Sequence, residues 1–304
     1  MLAYVVGKKA ERMVFVSSAD PDSLSTLSDM FKMDRKAPVS VLLDSIDQSY
    51  QSQSFPPVAR FSVQKLVAQK LKRDFAPGDI TSALPLGREK TGRQDWKFLL
   101  ISVVPSPQLM QWLDFLLELD NPFDSIYLVP VEAENFMRDL SGKVKEENKS
   151  VWQMLVIHNK VSGFRQIITR NGRLIFTRLT QSTLGENSPL VIAGNIEQEI
   201  GSTIEYLKRL SYQESEGLDI TVIASPEIVQ SIDDSKIGSH RNARFITPAQ
   251  AAETVSLPAE HYAENHFCDI LFSTYFTRVS KHILKLQTPL SRNIKKYQLG
   301  LTAI

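Results

Sequence analysis

The chain has 304 residues, 35 basic against 34 acidic, for a formal net charge of +1, with 42% apolar and 23% charged side chains. This composition suits a folded protein and lacks the basic excess of one that coats nucleic acid. Cys268 is the only cysteine, which excludes an intramolecular disulfide and a Cys-rich zinc site and makes a reducing compartment the natural home.

Residues 2–6 and 13–17 flank a polar connection and read as a hairpin. The opening residues lack the basic-then-apolar order of a secretory signal, and no run of about 18 apolar residues occurs anywhere. Residues 21–36 form a polar link with a short helical pattern, and Pro38 marks entry to a strand over 39–44. Residues 48–57, rich in Ser and Gln, read as a loop closed by Phe55-Pro56-Pro57. Val63, Leu66, Val67 and Leu71 then share a helical face, and Pro77-Gly78 stops that helix. A charged loop, 87–95, precedes an apolar strand over 97–104, and 105–120 is a helix apolar on most sides. A strand over 125–131 follows. The polar stretch 141–150 marks a boundary.

Beyond it, 151–158 is nearly all apolar and therefore central in a sheet. Asn171-Gly172 joins strands over 164–169 and 173–178 in the favoured two-residue type I′ turn. A helix over 194–212 carries Ile196, Ile200, Ile204 and Leu207 on one face; strands over 219–224 and 243–247 and a helix over 259–276 complete the run. Each half thus reads three strands and then alternating helices and strands, the order of a ribonuclease-H-like unit. Two such units in tandem give the actin and sugar-kinase architecture. The expectation is an α/β fold with mixed sheets flanked by helices, in halves 1–145 and 146–277. After Asp269 no acid occurs, while Arg278, Lys281, Lys285, Arg292, Lys295 and Lys296 do, before an apolar end at 299–304. Basic residues ahead of an apolar run belong to the cytoplasmic side of a membrane helix. Residues 278–304 are therefore expected to be a basic tail leading to a membrane segment after Ile304; the alternative is a solvated basic helix.

An actin-type nucleotide site needs backbone amides from Gly-rich turns against the phosphates, and carboxylates nearby for a hydrated magnesium ion. The first hairpin offers Val5-Val6-Gly7-Lys8-Lys9-Ala10, with no acid at the strand end. The second puts His158 and Asn159 where acids are expected, before Lys160-Val161-Ser162-Gly163. After residue 223 the chain runs Ala224-Ser225-Pro226-Glu227 in place of a Gly-Gly turn. All three loops are depleted together, which argues against a working phosphate clamp. Asp44 and Asp47 sit at a strand end where acids commonly cap a loop. His261 and His266, near Cys268, are five apart, which does not bring both onto one helical face. His158 and Ser162 lack a third partner for nucleophilic chemistry. No catalytic, cofactor-binding or metal-binding residue is assigned.

The stretch from Trp152 to Arg178, with Gly172, an apolar residue and then Phe176-Thr177-Arg178, resembles the PilM and GspL families of type IV pilus and type II secretion assembly. The order of residues 39–74 and the basic tail are similar to GspL. These families are actin-like, and the acidic, Gly-containing phosphate loops of PilM are missing here. The resemblance implies a non-catalytic cytoplasmic scaffold, a pseudo-ATPase at the bacterial inner membrane. Its partners would be an assembly ATPase and inner-membrane pilus or secretion proteins, with no cofactor and no nucleic acid. Whether it forms a homodimer stays open. The rival reading is an ATP-binding enzyme of the actin and sugar-kinase superfamily with a divergent phosphate site built from Lys8, Lys9, Asn159 and Ser162. A third is a soluble regulatory ribonuclease-H-like protein with no membrane link.

Overall fold

The computed structural model describes residues 1–6, 9–16, 21–89, 92–142, 151–180, 188–233, 235, 237, 242–262 and 267–286. They fall into two compact units, one made by Ala3–Met13 with Pro130–Lys281, the other by Val14–Val129 with the segment from His282.

The first unit is built on a sheet whose strands are β8 (Trp152–Asn159), β9 (Gly163–Arg170), β10 (Arg173–Thr180), β11 (Leu218–Ile223) and β12 (Asn242–Ile246), in the order β10-β9-β8-β11-β12. The expected meander is there: β8, β9 and β10 run antiparallel, and β11 lies parallel to both β8 and β12. The β9–β10 turn is Asn171-Gly172 with φ of 52° and 70°, the pair of left-handed residues that a type I′ turn demands. Strand β8 is buried on both faces, as its continuous apolar run requires. One face takes α5 (Pro189–Arg209), whose Ile196, Ile200, Ile204 and Leu207 pack on Trp152, Met154, Ile220 and Val222. Each such burial contributes roughly 1.5–3 kcal/mol before the cost of ordering. This helix starts ahead of the expected residue 194 because Pro189 pre-forms its first turn, and it stops where Ser211 turns left-handed.

α4 (Val129–Leu140) and α8 (Cys268–Arg278) pack together through Phe136, whose ring lies 4.6 Å from Phe272 and 5.0 Å from Tyr275. α4 corrects the expected strand over 125–131: β7 (Phe123–Leu128) ends sooner, and Pro130 opens a helix. The expected helix over 259–276 is also shorter. A 3-10 turn at Ala259–Tyr262 precedes α8, whose N-cap Phe267 is extended. Short helices α6 (Pro226–Ser231) and α7 (Pro248–Thr254) follow β11 and β12.

In the second unit β3 (Val39–Leu43) pairs in parallel with β7, beside α1 (Pro21–Met33) in sequence. β4 (Gln48–Phe55), β6 (Trp96–Val103) and β5 (Ile80–Arg88) form an antiparallel sheet in the order β4-β6-β5, on which α2 (Arg60–Asp74) buries Val63 and Val67. β4 overturns the loop expected over 48–57. It is an edge strand with its polar side chains largely exposed, so no apolar alternation betrays it. α3 (Pro107–Leu117) is capped by Ser106, whose Oγ accepts from the Leu109 amide at 3.3 Å. Leu286 pairs with Ile126, and Lys285 donates to Asp124 at 2.8 Å.

The three-strand meander expected to open the first half is not what the described residues form. β1 (Leu2–Val6) pairs with β2 (Lys9–Val14), while β3 pairs with β7. A helix rather than a tight turn separates β2 from β3, so nothing local brings them into register.

Candidate functional site

The carboxyl ends of parallel strands are where an open α/β sheet exposes backbone to a ligand. Here that end is formed by His158 and Asn159 of β8, the turn 160–162 and the Ala224-Ser225 end of β11. Gly163 starts β9 at φ 93°, a left-handed value that lets the hairpin close with Asn159 opposite Gly163.

The turn amides are occupied. The Lys160 N–H donates to Asp269 Oδ2 at 2.5 Å and the Val161 N–H to Oδ1 at 3.2 Å. Asp269 belongs to the first turn of α8, a position that favours negative charge. Burial raises its carboxyl above the usual range, against the opposing pull of those two amides. A carboxylate of the chain's own therefore sits on the two successive amides that would otherwise face a ligand oxyanion.

His158 lies under this turn. Its ring stacks on Phe164 at 4.2 Å and 14° and meets the Phe267 ring edge-on at 4.8 Å. Burial pushes its pKa down to about 4, and Nδ1 has no hydrogen-bond partner. A neutral imidazole stacked on one phenyl ring and met edge-on by another is a packing group. Ser162 Oγ meets the Asn159 amide at 3.3 Å, so the turn is tied to its own strand. Cys268 is fully buried, its thiol pushed up by burial and directed to the Ile223 carbonyl at 3.6 Å. Such a thiol is not nucleophilic.

The third loop is closed as well. Ala224 donates to the Ile246 carbonyl at 3.2 Å, and Ser225 caps α6 through the Ile228 amide. Asp47 and Ser45 bond each other, as turn residues do, with Asp47 accepting from Ser45 Oγ at 3.2 Å. Gly7, Lys8, His266 and the side chains of Lys9 and His261 lie outside the described residues. So do Arg292, Lys295 and Lys296 of the tail. Two of the tail's earlier cations have structural contacts: Arg278 donates to the Val255 and Ser256 carbonyls and Lys285 pairs with Asp124. Among the described residues no group of three His, Cys, Asp or Glu could hold a metal ion, and no helix is long and apolar enough to cross a membrane. Sequence reasoning placed the turn but missed Asp269, which falls in the middle of the helix expected over 259–276 and reaches a first turn only because α8 starts at Cys268.

No protein-family model and no curated protein matches this sequence. Among solved structures, a chain of the PilM-PilN type IV pilus biogenesis complex is similar, with 10% identity and a TM-score of 0.58 over 89% of this chain and 90% of that one. The cytoplasmic domain of EpsL, an inner-membrane component of the type II secretion system of Vibrio cholerae, has 13% identity and a TM-score of 0.45 over 86% and 83% of the two chains. The first of these shows the fold: the chain has the actin-like α/β architecture that its element order implies.

Proposed function

We propose that this chain is a non-catalytic actin-like scaffold, acting on the cytoplasmic side of the bacterial inner membrane in type IV pilus or type II secretion assembly. There it docks an assembly ATPase and segments of inner-membrane proteins. The observation that carries this reading is the Asp269 carboxylate on the Lys160 and Val161 amides. In an actin-like fold these amides are the ones a nucleotide phosphate would use. Here they hold a negative charge already, and a second anion at the same place meets both a filled hydrogen-bond site and like-charge repulsion. Among the described residues, the buried, uncharged His158 and the capped Ser225 loop supply no acid–base pair beside it. The likeness to a chain from a pilus biogenesis complex supplies the assembly context.

Calorimetric titration with magnesium-ATP is the test. No saturable heat is expected at millimolar nucleotide, and no rise in melting temperature, since a ligand far above its dissociation constant would add a few kcal/mol of apparent stability. Micromolar binding would replace the scaffold with the ATP-dependent enzyme. The docking half is tested by affinity capture from native bacterial membranes. It should recover an assembly ATPase or a small inner-membrane protein, and recovery of neither from an intact complex would count against the scaffold.

A further inference from the structure

A concavity opens in the first unit at the other end of the same strands. It is about 200 Å³ in volume, lined by Leu140 and Ser141 at the end of α4, Gln153 on β8, Asp219 and Thr221 on β11, and Asn242 and Arg244 on β12. Its floor is rigid: Leu140, Met154 and Leu155 of the lining are nearly inaccessible to solvent. Most polar groups around it are matched within the lining. Gln153 donates to Ser141 Oγ at 2.9 Å, and Asn242 donates to Asp219 Oδ1 at 3.0 Å.

Arg244 is the exception. Arg170 meets Glu216 at 2.6 Å, Arg173 meets Glu134 at 3.2 Å and Arg178 meets Glu199 at 3.0 Å, while Arg278, outside this concavity, donates to backbone carbonyls. Arg244 has no acid partner among the described residues. It gives one hydrogen bond, to Thr221 Oγ1 at 3.1 Å, out of the five that a guanidinium can donate. Thr221 is itself buried, and because its oxygen accepts from Arg244, its hydroxyl proton is left to donate in turn. An exposed guanidinium anchored by one hydrogen bond and a buried hydroxyl thus lie together beside an apolar wall.

We propose that this concavity is the docking site for an acidic residue of a protein partner, its carboxylate received by Arg244 and Thr221 and its aliphatic stem lying on the Leu140 wall. The volume is below the roughly 300–1,000 Å³ of pockets that enclose whole cofactors or drug-sized ligands, so it suits one side chain. The charge balance selects the ligand further. Asp219, itself in the lining and accepting from the Asn242 side chain, stands two residues from Thr221 along β11, roughly 7 Å in strand rise, a like charge that a singly charged carboxylate tolerates better than a phosphate does. The proposal rests on the docking role inferred above and gives it a chemical address.

The test uses the full chain, labelled with ¹⁵N, and two probes: blocked glutamate (N-acetyl, N-methylamide) and blocked glutamine. Blocked glutamate should give saturable shifts of the Arg244 Nε–H and the Thr221 amide, with a dissociation constant in the millimolar range expected of one charge-assisted contact. Blocked glutamine should give none. Arg244→Gln should weaken binding at least tenfold with an unchanged melting temperature, and Arg244→Lys should restore part of it, since an ammonium keeps the charge but loses the fork. Equal response to both probes, no saturation, or tighter binding of inorganic phosphate would overturn the proposal. These outcomes are separable from the nucleotide titration: ATP binding would defeat the silent-scaffold reading and leave Arg244 untouched, while failure here leaves the Asp269 arrangement standing.

Discussion

Burying His158 against the face of Phe164 and beside the Phe267 ring removes the water that a charged imidazole needs, and its pKa falls from 6.5 to about 4. The folded state then binds fewer protons than the unfolded state between those two values. Stability from this residue is complete above pH 6.5 and is lost as pH falls toward 4, by about 3 kcal/mol in all. Asp269 and Glu134 have raised carboxyl pKa values, mainly from burial, and act in the opposite sense, their cost growing as pH rises past the usual carboxylate range. His158→Phe isolates the imidazole while keeping an aromatic ring in the stack. Urea midpoints measured from pH 7 to pH 4.5 should fall more steeply for the native chain than for this variant. Parallel slopes would mean that the imidazole is hydrated in solution and not held as the ring geometry implies.

The helix α4 is held to the β9–β10 hairpin by one buried carboxylate. Glu134 accepts from the Leu174 amide at 2.8 Å and from Arg173 at 3.2 Å. Glu134→Ala leaves that amide buried without a partner, which costs about 1–3 kcal/mol beyond the lost packing. Glu134→Gln keeps an acceptor oxygen and should recover most of the loss in a urea titration. This element also marks the limit of what the sequence displays. The run Val129-Pro130-Val131 continues the apolar pattern of β7 and masks the switch from strand to helix, of which Pro130 is the one local sign. By contrast, β8 and the Asn171-Gly172 turn are legible because burial on both faces writes a continuous apolar run and a left-handed pair writes Asn-Gly. β4 is hidden for the opposite reason: its polar residues need only the ladder that β6 provides. At the site, the turn 160–162 is visible in sequence as a gap between strands. Its occupant Asp269 is 109 positions away and is brought there by tertiary packing alone.

At the scale of the whole molecule, the two compact units divide at 129/130, while the boundary expected between the halves, 145/146, lies in the polar stretch 141–150. The polar stretch is a poor guide because solubility of a segment says nothing about which unit the helix before it packs on. Phe136, with no exposed surface, lies against Phe272 and Tyr275, and the Tyr275 hydroxyl donates to Asp139 at 2.7 Å. Loss of one buried Phe side chain alone costs about 3–5 kcal/mol. A domain has only about 5–15 kcal/mol in hand, so losing all of α4 should exceed it. Two fragments that both lack β1 and β2 make the comparison fair. A fragment spanning 129–281 should show near-ultraviolet circular dichroism from packed aromatic rings and a cooperative urea transition. A fragment spanning 146–277 should lose both, keeping only the far-ultraviolet signal of a loosely packed state. If the shorter fragment unfolds as cooperatively and at the same midpoint, α4 is dispensable to this unit, and the boundary belongs where the polar stretch suggested.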